Sequence, residues 1–197
     1  MTRCPGCALP SPAGLHCGAC LRQPPRWQRA VAVADYGFPW DRLIAALKYG
    51  DQPELARPLA AELVAAVQDQ GGPGAVDWVL PVPLAPSRLA QRGYNQAWEL
   101  ARRVAGQLSL RSHADGLQRL DGEQHQVGAS RGQRLQQLRE AFWVQPGQGP
   151  ALAGARVALV DDVVTTGATA EAATLALQRA GVATVQLWML ARTPPPE

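Results

Sequence analysis

The sequence predicts an α/β fold, a parallel sheet flanked by helices, with a small four-cysteine module in front of it. Three observations carry that prediction. Residues 156–190 read as strand, helix and strand, the βαβ unit that brings parallel pairing and a right-handed crossover. Asp77-Trp78-Val79-Leu80-Pro81-Val82 reads as another buried strand, stopped by prolines and followed by a helical repeat. Cys4, Cys7, Cys17 and Cys20 are all the cysteines of the chain, and they fall within residues 1–22. With 47% apolar residues in 197, one sizeable core is within reach, and a charged fraction of 18% argues against wholesale disorder.

In chain order, Pro24-Pro25 punctuates the end of the cysteine region, and Arg29 to Tyr36 reads as a short strand. Trp40, Leu43, Ile44 and Leu47 recur at helical spacing, which predicts a helix over 40–49. Leu55, Leu59, Leu63 and Val67 predict a second over 53–70. Pro53 suits its first turn, and Pro58 either kinks it or marks its true start. Gly71-Gly72-Pro73-Gly74 is a linker. After the Asp77–Val82 strand and a loop, Ala97, Leu100, Ala101 and Val104 place a helix over Tyr94–Leu108. Residues 111–130 have little periodicity and read as a loop with at most a short strand near Leu117–Leu120. Ser130 can cap a short helix through Leu135 and Leu138, and Ala141–Val144 reads as a strand. Residues 146–154 are turn-rich. Arg156–Val160 is a strand, Thr169–Ala180 a helix stopped by Gly181, and Val182–Leu190 a strand again. No internal repeat is visible.

The formal charge of +3 comes almost wholly from arginine, and Lys48 is the only lysine. Beside so much alanine and glycine, that bias reads as a GC-rich coding sequence before it reads as a nucleic-acid footprint, which clusters on one face. No run approaches the roughly 18 apolar residues of a membrane span. Met-Thr-Arg-Cys at the start lacks the apolar stretch of a secretory leader, so the expected compartment is the cytoplasm, where disulfides are rare.

Val157 to Thr169 reads VALVDDVVTTGAT. Asp161 and Asp162 sit at the carboxyl end of a buried strand, where open parallel sheets bind ligands. The following turn feeds a helix N-terminus, whose free N–H groups and dipole favour an anion. Gly167 and Ala168 allow close approach of backbone, and Thr165, Thr166 and Thr169 offer hydroxyls. A ribose 5-phosphate satisfies both halves, with phosphate in the turn and ribose hydroxyls on the acids. The bland reading is a strand end whose acids cap the next helix. There is no G-x-G-x-x-G and no Gly-Lys-Ser/Thr P-loop ending.

This stretch resembles the phosphoribosyl pyrophosphate (PRPP) motif of type I phosphoribosyltransferases. LIAALKYGDQPELARPLA, LPVPLAPSRLAQRGYNQAWELAR, QHQVGASRGQRLQQLREAF and ALVDDVVTTGATAEAATLALQRAGVATVQLWMLART together resemble the ComF family. With the cysteine-rich start, that resemblance spans nearly the whole chain. It implies a type I phosphoribosyltransferase-like domain over 29–197, with a core at 75–193 and a hood over the acceptor side at 29–70, behind a zinc-ribbon-like module over 1–28. It implies that Asp161 and Asp162 hold the ribose, directly or through Mg²⁺. Val163, Val164, Thr165, Thr166, Gly167, Ala168 and Thr169 then bind the 5-phosphate. Arg88, Arg92 and Asn95 follow as contacts of the pyrophosphate loop, and arginine has the planar fork that phosphate prefers. Otherwise they are a solvated arginine-rich loop. The glutamine-rich stretch 124–140 falls where the superfamily closes a loop over PRPP, with Arg131 and Arg134 in reach of pyrophosphate. Lys48 and Tyr49 fall on the hood or acceptor side; an ordinary helix-end cation is the competing reading of Lys48. One position departs from the pattern. Purine enzymes of the superfamily often carry an acid three residues beyond the second acid, and Thr165 stands there. No residue is assigned as catalytic acid or base.

Cys4-Pro-Gly-Cys7 and Cys17-Gly-Ala-Cys20 are two C-x2-C knuckles with nine residues between them. In a reducing compartment that spacing predicts one structural Zn²⁺ on four sulfurs, with His16 a bystander. Arg3, Arg22, Arg26, Arg29 and Trp27 nearby suit DNA contact or packing of the module on its own domain equally well. The resemblance implies a role in natural competence, in DNA uptake or in DNA utilisation, with single-stranded DNA and a DNA-translocating competence ATPase as partners. Three activities fit: a Mg²⁺-dependent transferase from PRPP to an unknown acceptor, a PRPP-sensing module without catalysis, and a housekeeping enzyme of nucleotide salvage. The threonine at 165 counts against the last.

Overall fold

A computed structural model describes residues 2–121, 140–147 and 151–194. The strands in chain order are β1 (Arg29–Asp35), β2 (Trp78–Pro81), β3 (Arg111–Ser112), β4 (Gln118–Arg119), β5 (Phe142–Trp143), β6 (Arg156–Val164) and β7 (Thr184–Arg192). The helices are α1 (Gly18–Arg22), α2 (Trp40–Tyr49), α3 (Ala56–Asp69), α4 (Pro86–Arg92), α5 (Gln96–Gln107) and α6 (Ala168–Arg179). Five strands form one sheet in the order β1-β7-β6-β2-β3, every pair parallel. The strands β4 and β5 make a separate antiparallel pair.

The central strands are buried on both faces, so they read as continuous apolar runs rather than as alternation. Val157, Ala158, Leu159 and Val160 of β6 and Leu187, Trp188, Met189 and Leu190 of β7 are at most 1% exposed. One face is covered by α2, α3 and α5, whose Ile44, Leu63 and Leu100 pack with Val79, Val160 and Trp188. The other is covered by α6, the β4–β5 pair and the cysteine region, where Leu177, Phe142, Trp27 and Ala8 share one cluster with Leu80 and Leu159. Residues 29–70 thus supply an edge strand and a core helix as well as α2.

The sequence-predicted elements recur with instructive differences. The α2 helix covers 40–49 as its spacing predicts. A 3₁₀ turn at Pro53–Leu55 precedes α3, leaving Pro58 in the first turn of the α-helix, where a missing N–H is harmless. The α4 helix stands where the sequence predicts a loop. It is too short for a periodic signal, and it is framed by Pro86 at its first position and by Gly93 at φ +81° as its C-cap. The β6 strand runs past the acids to Val164, because pairing with β7 continues through Val163↔Ala191 and Val164↔Arg192. The expected helix after Ser130, and the 124–140 stretch except Glu140, lie outside the described residues.

Candidate functional site

The strand order sets where a ligand can bind. From β2 the chain crosses through α5 to β3 on one side; from β6 it crosses through α6 to β7 on the other. The two crossovers diverge, and the carboxyl ends of β2 and β6 open a crevice between them. Pairing of these strands ends where Val82 N donates to Val160 O at 2.8 Å. Beyond that point β6 is paired only with β7, and Asp161 and Asp162 lie in this half-open stretch. Their carboxylates serve the freed backbone: Asp162 N donates to Asp161 Oδ1 (2.9 Å) and Val163 N to Asp162 Oδ1 (2.8 Å). Asp162 is 2% exposed. Burial first, and the neighbouring Asp162 charge second, push the Asp161 carboxyl well above the ordinary range.

The cation that answers this charge is Lys48. Its Nζ lies 2.9 Å from Asp162 Oδ2, delivered from the last turn of α2. Asp162 Oδ2 is buried and makes no well-directed hydrogen bond, so the Lys48 ammonium is what answers its charge. Tyr94 holds the end of α2 in place by donating its hydroxyl to Leu47 O. Sequence reasoning marked Lys48 by its rarity; it had no means of placing it on an acid so far along the chain.

On one side of the acids, Thr165, Thr166 and Gly167 turn the chain from β6 into α6. Gly167 is the N-cap at φ +84°, a conformation that costs glycine little. Thr166 Oγ1 accepts from Ala168 N at 3.3 Å. Asp161, Val163, Val164, Thr165, Thr166, Gly167, Ala168 and Thr169, with Ala170, line a cavity of about 40 Å³ at this helix N-terminus. On the other side, Lys48, Tyr49, Asp51, Arg88, Gln91 and Arg92 line a cavity of about 470 Å³. The Arg92 guanidinium stacks 5.1 Å from the Tyr49 ring centre and donates to Gln96 Oε1. Asn95 is occupied within the fold: its Nδ2 donates to Val82 O (3.1 Å), and its Oδ1 accepts from Ala97 N (2.9 Å) as the cap of α5.

Several site residues had no sequence signal. Asp51 and Gln91 join the larger cavity. Asp121 caps α4, accepting from Ser87 N (3.0 and 3.2 Å) and Ser87 Oγ (2.6 Å), and those bonds hold its carboxyl below the usual range. Arg119 stacks 5.1 Å from the Phe142 ring centre with its Nε buried and unpartnered. Burial, and then the like charge of Arg88, lower its pKa, while Asp161 and Asp121 pull the other way. Both residues sit in the aperiodic 111–121 stretch. Arg131 and Arg134 lie outside the described residues.

The four cysteines converge, as their spacing predicts. Their sulfurs all lie within 4.8 Å of one another, with Cys7 and Cys17 Sγ at 3.6 Å. A tetrahedral ion with Zn–S of about 2.3 Å needs S···S near 3.8 Å, so the cage fits a metal such as zinc. The thiols differ. Burial opposes ionisation of Cys4, but N–H groups of Cys17, Cys7 and Gly6 outweigh it and bring its pKa down to about 6. Burial pushes Cys7 up to about 11 and, with its sulfur neighbours, Cys20 higher still. Four thiolates at this spacing need a cation.

Relatives match this chain along nearly its full length. It is 38% identical over 197 residues to the DNA utilization protein YhgH of Escherichia coli O6:H1, covering 98% of this chain and 85% of that one. It is 36% identical over 180 residues to Competence protein F of Haemophilus influenzae, covering 90% and 78%. The chain belongs to the ComF family. No protein-family model matches this ComF chain. Among solved structures it is similar to the glutamine PRPP amidotransferase of B. subtilis, with TM-score 0.49 and 20% identity over 73% of this chain and 30% of that one. An adenine phosphoribosyltransferase gives TM-score 0.44 and 17% identity over 70% of each.

Proposed function

We propose that this ComF chain binds PRPP, and that it does so in the service of competence and DNA utilisation, the roles its relatives are named for. The observation that carries the reading is an acid pair at the divergence of two crossovers, with an anion-sized turn on one side and an arginine- and lysine-lined cavity on the other. Asp161 and Asp162 accept from the ribose hydroxyls. Thr165 to Thr169 hold the 5-phosphate, helped by the backbone of Val163 and Val164. Arg88 and Arg92 face the pyrophosphate, and Asn95 shapes their loop.

With Lys48 beside them, the two acids carry one compensating cation, which lessens their charge and suits hydroxyl donors. Mg²⁺ would arrive with the diphosphate, with Asp161 or Asp162 as the residues to hold it, and would neutralise charge on the leaving group. Zn²⁺ fits the four cysteines as a closed site without an open position. Transfer to an acceptor would use the Lys48–Tyr49 side. Thr165 offers no proton-accepting carboxylate there, which disfavours purine salvage.

The test is calorimetric titration of Mg²⁺–PRPP into wild type and Asp162→Asn. Wild type binds, and the variant binds about 10–100-fold more weakly, about one charge-assisted hydrogen bond's worth. Equal affinities would remove the acids from the site. If single-stranded DNA is a partner, its affinity falls steeply with salt, and a flat response speaks against phosphate-driven contact. A competence ATPase as partner is testable by co-purification with the intact chain.

A further inference from the structure

The four-cysteine region is linked to the phosphate-binding turn at both ends of the turn, through Arg192 at one and Trp27 at the other. Arg192, at the end of β7 and 8% exposed, spreads its guanidinium between the two. Its Nε donates to Cys7 O (2.9 Å); one Nη donates to Val164 O (2.9 Å), to Thr165 O and to Thr193 O (3.0 Å). Val164 and Thr165 open the turn. At its other end, a Cβ on Gly167 would lie 3.4 Å from the Trp27 ring, so that ring is the wall behind the glycine. Trp27 Nε1 in turn donates to Gly6 O at 2.6 Å. Gly6 and Cys7 are neighbours in the first C-x2-C knuckle. Farther along α6, Arg26 pairs with Glu171 (3.2 Å), and Gln178 donates to Arg26 O (3.1 Å).

Each brace therefore begins on a carbonyl whose position the knuckle sets. A knuckle without a metal has four close thiols and no reason to hold Gly6 O and Cys7 O at that spacing. The closed sulfur cage needs no role in chemistry to matter for ligand binding.

We propose that Arg192 and Trp27 are positioning residues that couple the four-cysteine metal site to the phosphate turn, so that metal occupancy sets affinity for the 5-phosphate end of the ligand. This rests on the PRPP reading of the turn. Binding energies that pass between two sites are reciprocal, so ligand must tighten metal binding by the factor by which metal tightens ligand binding.

The experiment uses the full chain, with ribose 5-phosphate and Mg²⁺–PRPP as probes and Zn²⁺ as the metal. Calorimetry gives affinity for zinc-loaded wild type, zinc-stripped wild type, and zinc-loaded Arg192→Lys and Trp27→Phe. Trp27→Phe keeps a ring behind Gly167 and loses only the bond to Gly6. Circular dichroism and zinc content verify that each sample is folded and loaded. Stripping zinc, or either substitution, is expected to weaken both probes about tenfold, within the usual range of coupling between sites. Competition with a chelator is expected to show tighter zinc in the presence of PRPP, a readout that a merely structural role leaves unmoved. Folded protein that binds the probes equally well with and without zinc overturns the coupling alone. If stripping unfolds the chain, wild-type affinity in both loaded variants overturns it instead. Loaded wild type that binds neither probe overturns the phosphate reading, and the coupling with it.

Discussion

At the scale of single residues, the site turns on one ion pair. Lys48 Nζ and Asp162 Oδ2 are 2.9 Å apart, and the carboxylate is almost wholly enclosed. Removing the lysine leaves two adjacent acids with less compensation, and an uncompensated buried charge costs more than the pair gains. Lys48→Met is expected to cost about 1–3 kcal/mol, seen as a thermal midpoint lower by about 2–4 °C for each kcal/mol. In the Lys48→Met, Asp162→Asn double variant the two losses should sum to much less than their separate values; additive losses would mean that the contact carries no energy. The acids and the threonine turn were legible in the sequence because strand, charge and hydroxyls are contiguous there. The lysine's partner, the Asp121 cap and the Arg192 fork were not. Each joins residues far apart in the chain, and no local spacing records such a meeting.

At the scale of elements, the seven-residue α4 shows how the fold holds a short helix where charge is needed. It carries Arg88 and Arg92 to the larger cavity, and a helix this short has little stability of its own. The Asp121 carboxylate on Ser87 N and Oγ substitutes for length. Asp121→Ala is expected to speed amide exchange from Leu89 to Gly93 while β6 and β7 keep their protection; unchanged exchange would show the cap to be idle. The same bonds lower the Asp121 pKa below its unfolded value. The cap is therefore complete above about pH 4 and is lost as acid takes the pH down through the folded-state pKa. Amide protection in α4 should fall in that window before the core loosens. Helices α2, α5 and α6 were readable within a residue or two and α3 within three, and β4 and β5 fall inside the short strands expected near 117–120 and 141–144, whereas α4 and β3 are too short to repeat anything. The β6 strand outran its expected end because pairing with β7, not composition, sets where it stops.

At the scale of the molecule, the cysteine region and the sheet share one core: Ala8 and Trp27 sit in the same buried cluster as Leu159 and Leu187. Chelating the metal is expected to lower the melting temperature of the whole chain in one transition; an early, separate transition would show the module to stand apart. Metal analysis should find about one zinc per chain. The fold class was legible because the βαβ unit forces parallel pairing, and the cysteine cage because its spacing is its geometry. That the cage lies against the turn was not: Trp27 suited packing on the domain or DNA contact equally well, and nothing local marks Arg192. The order of the sheet also has a consequence for how the chain is made. Among the described strands β1 has one neighbour, β7, which leaves the ribosome some 150 residues later by sequence position. A nascent chain carries its cysteine region and first strand without that strand's partner until β7 has been made. The ligand turn gains the support of Arg192 only once that residue has emerged, so the turn takes its final form after β7 is made.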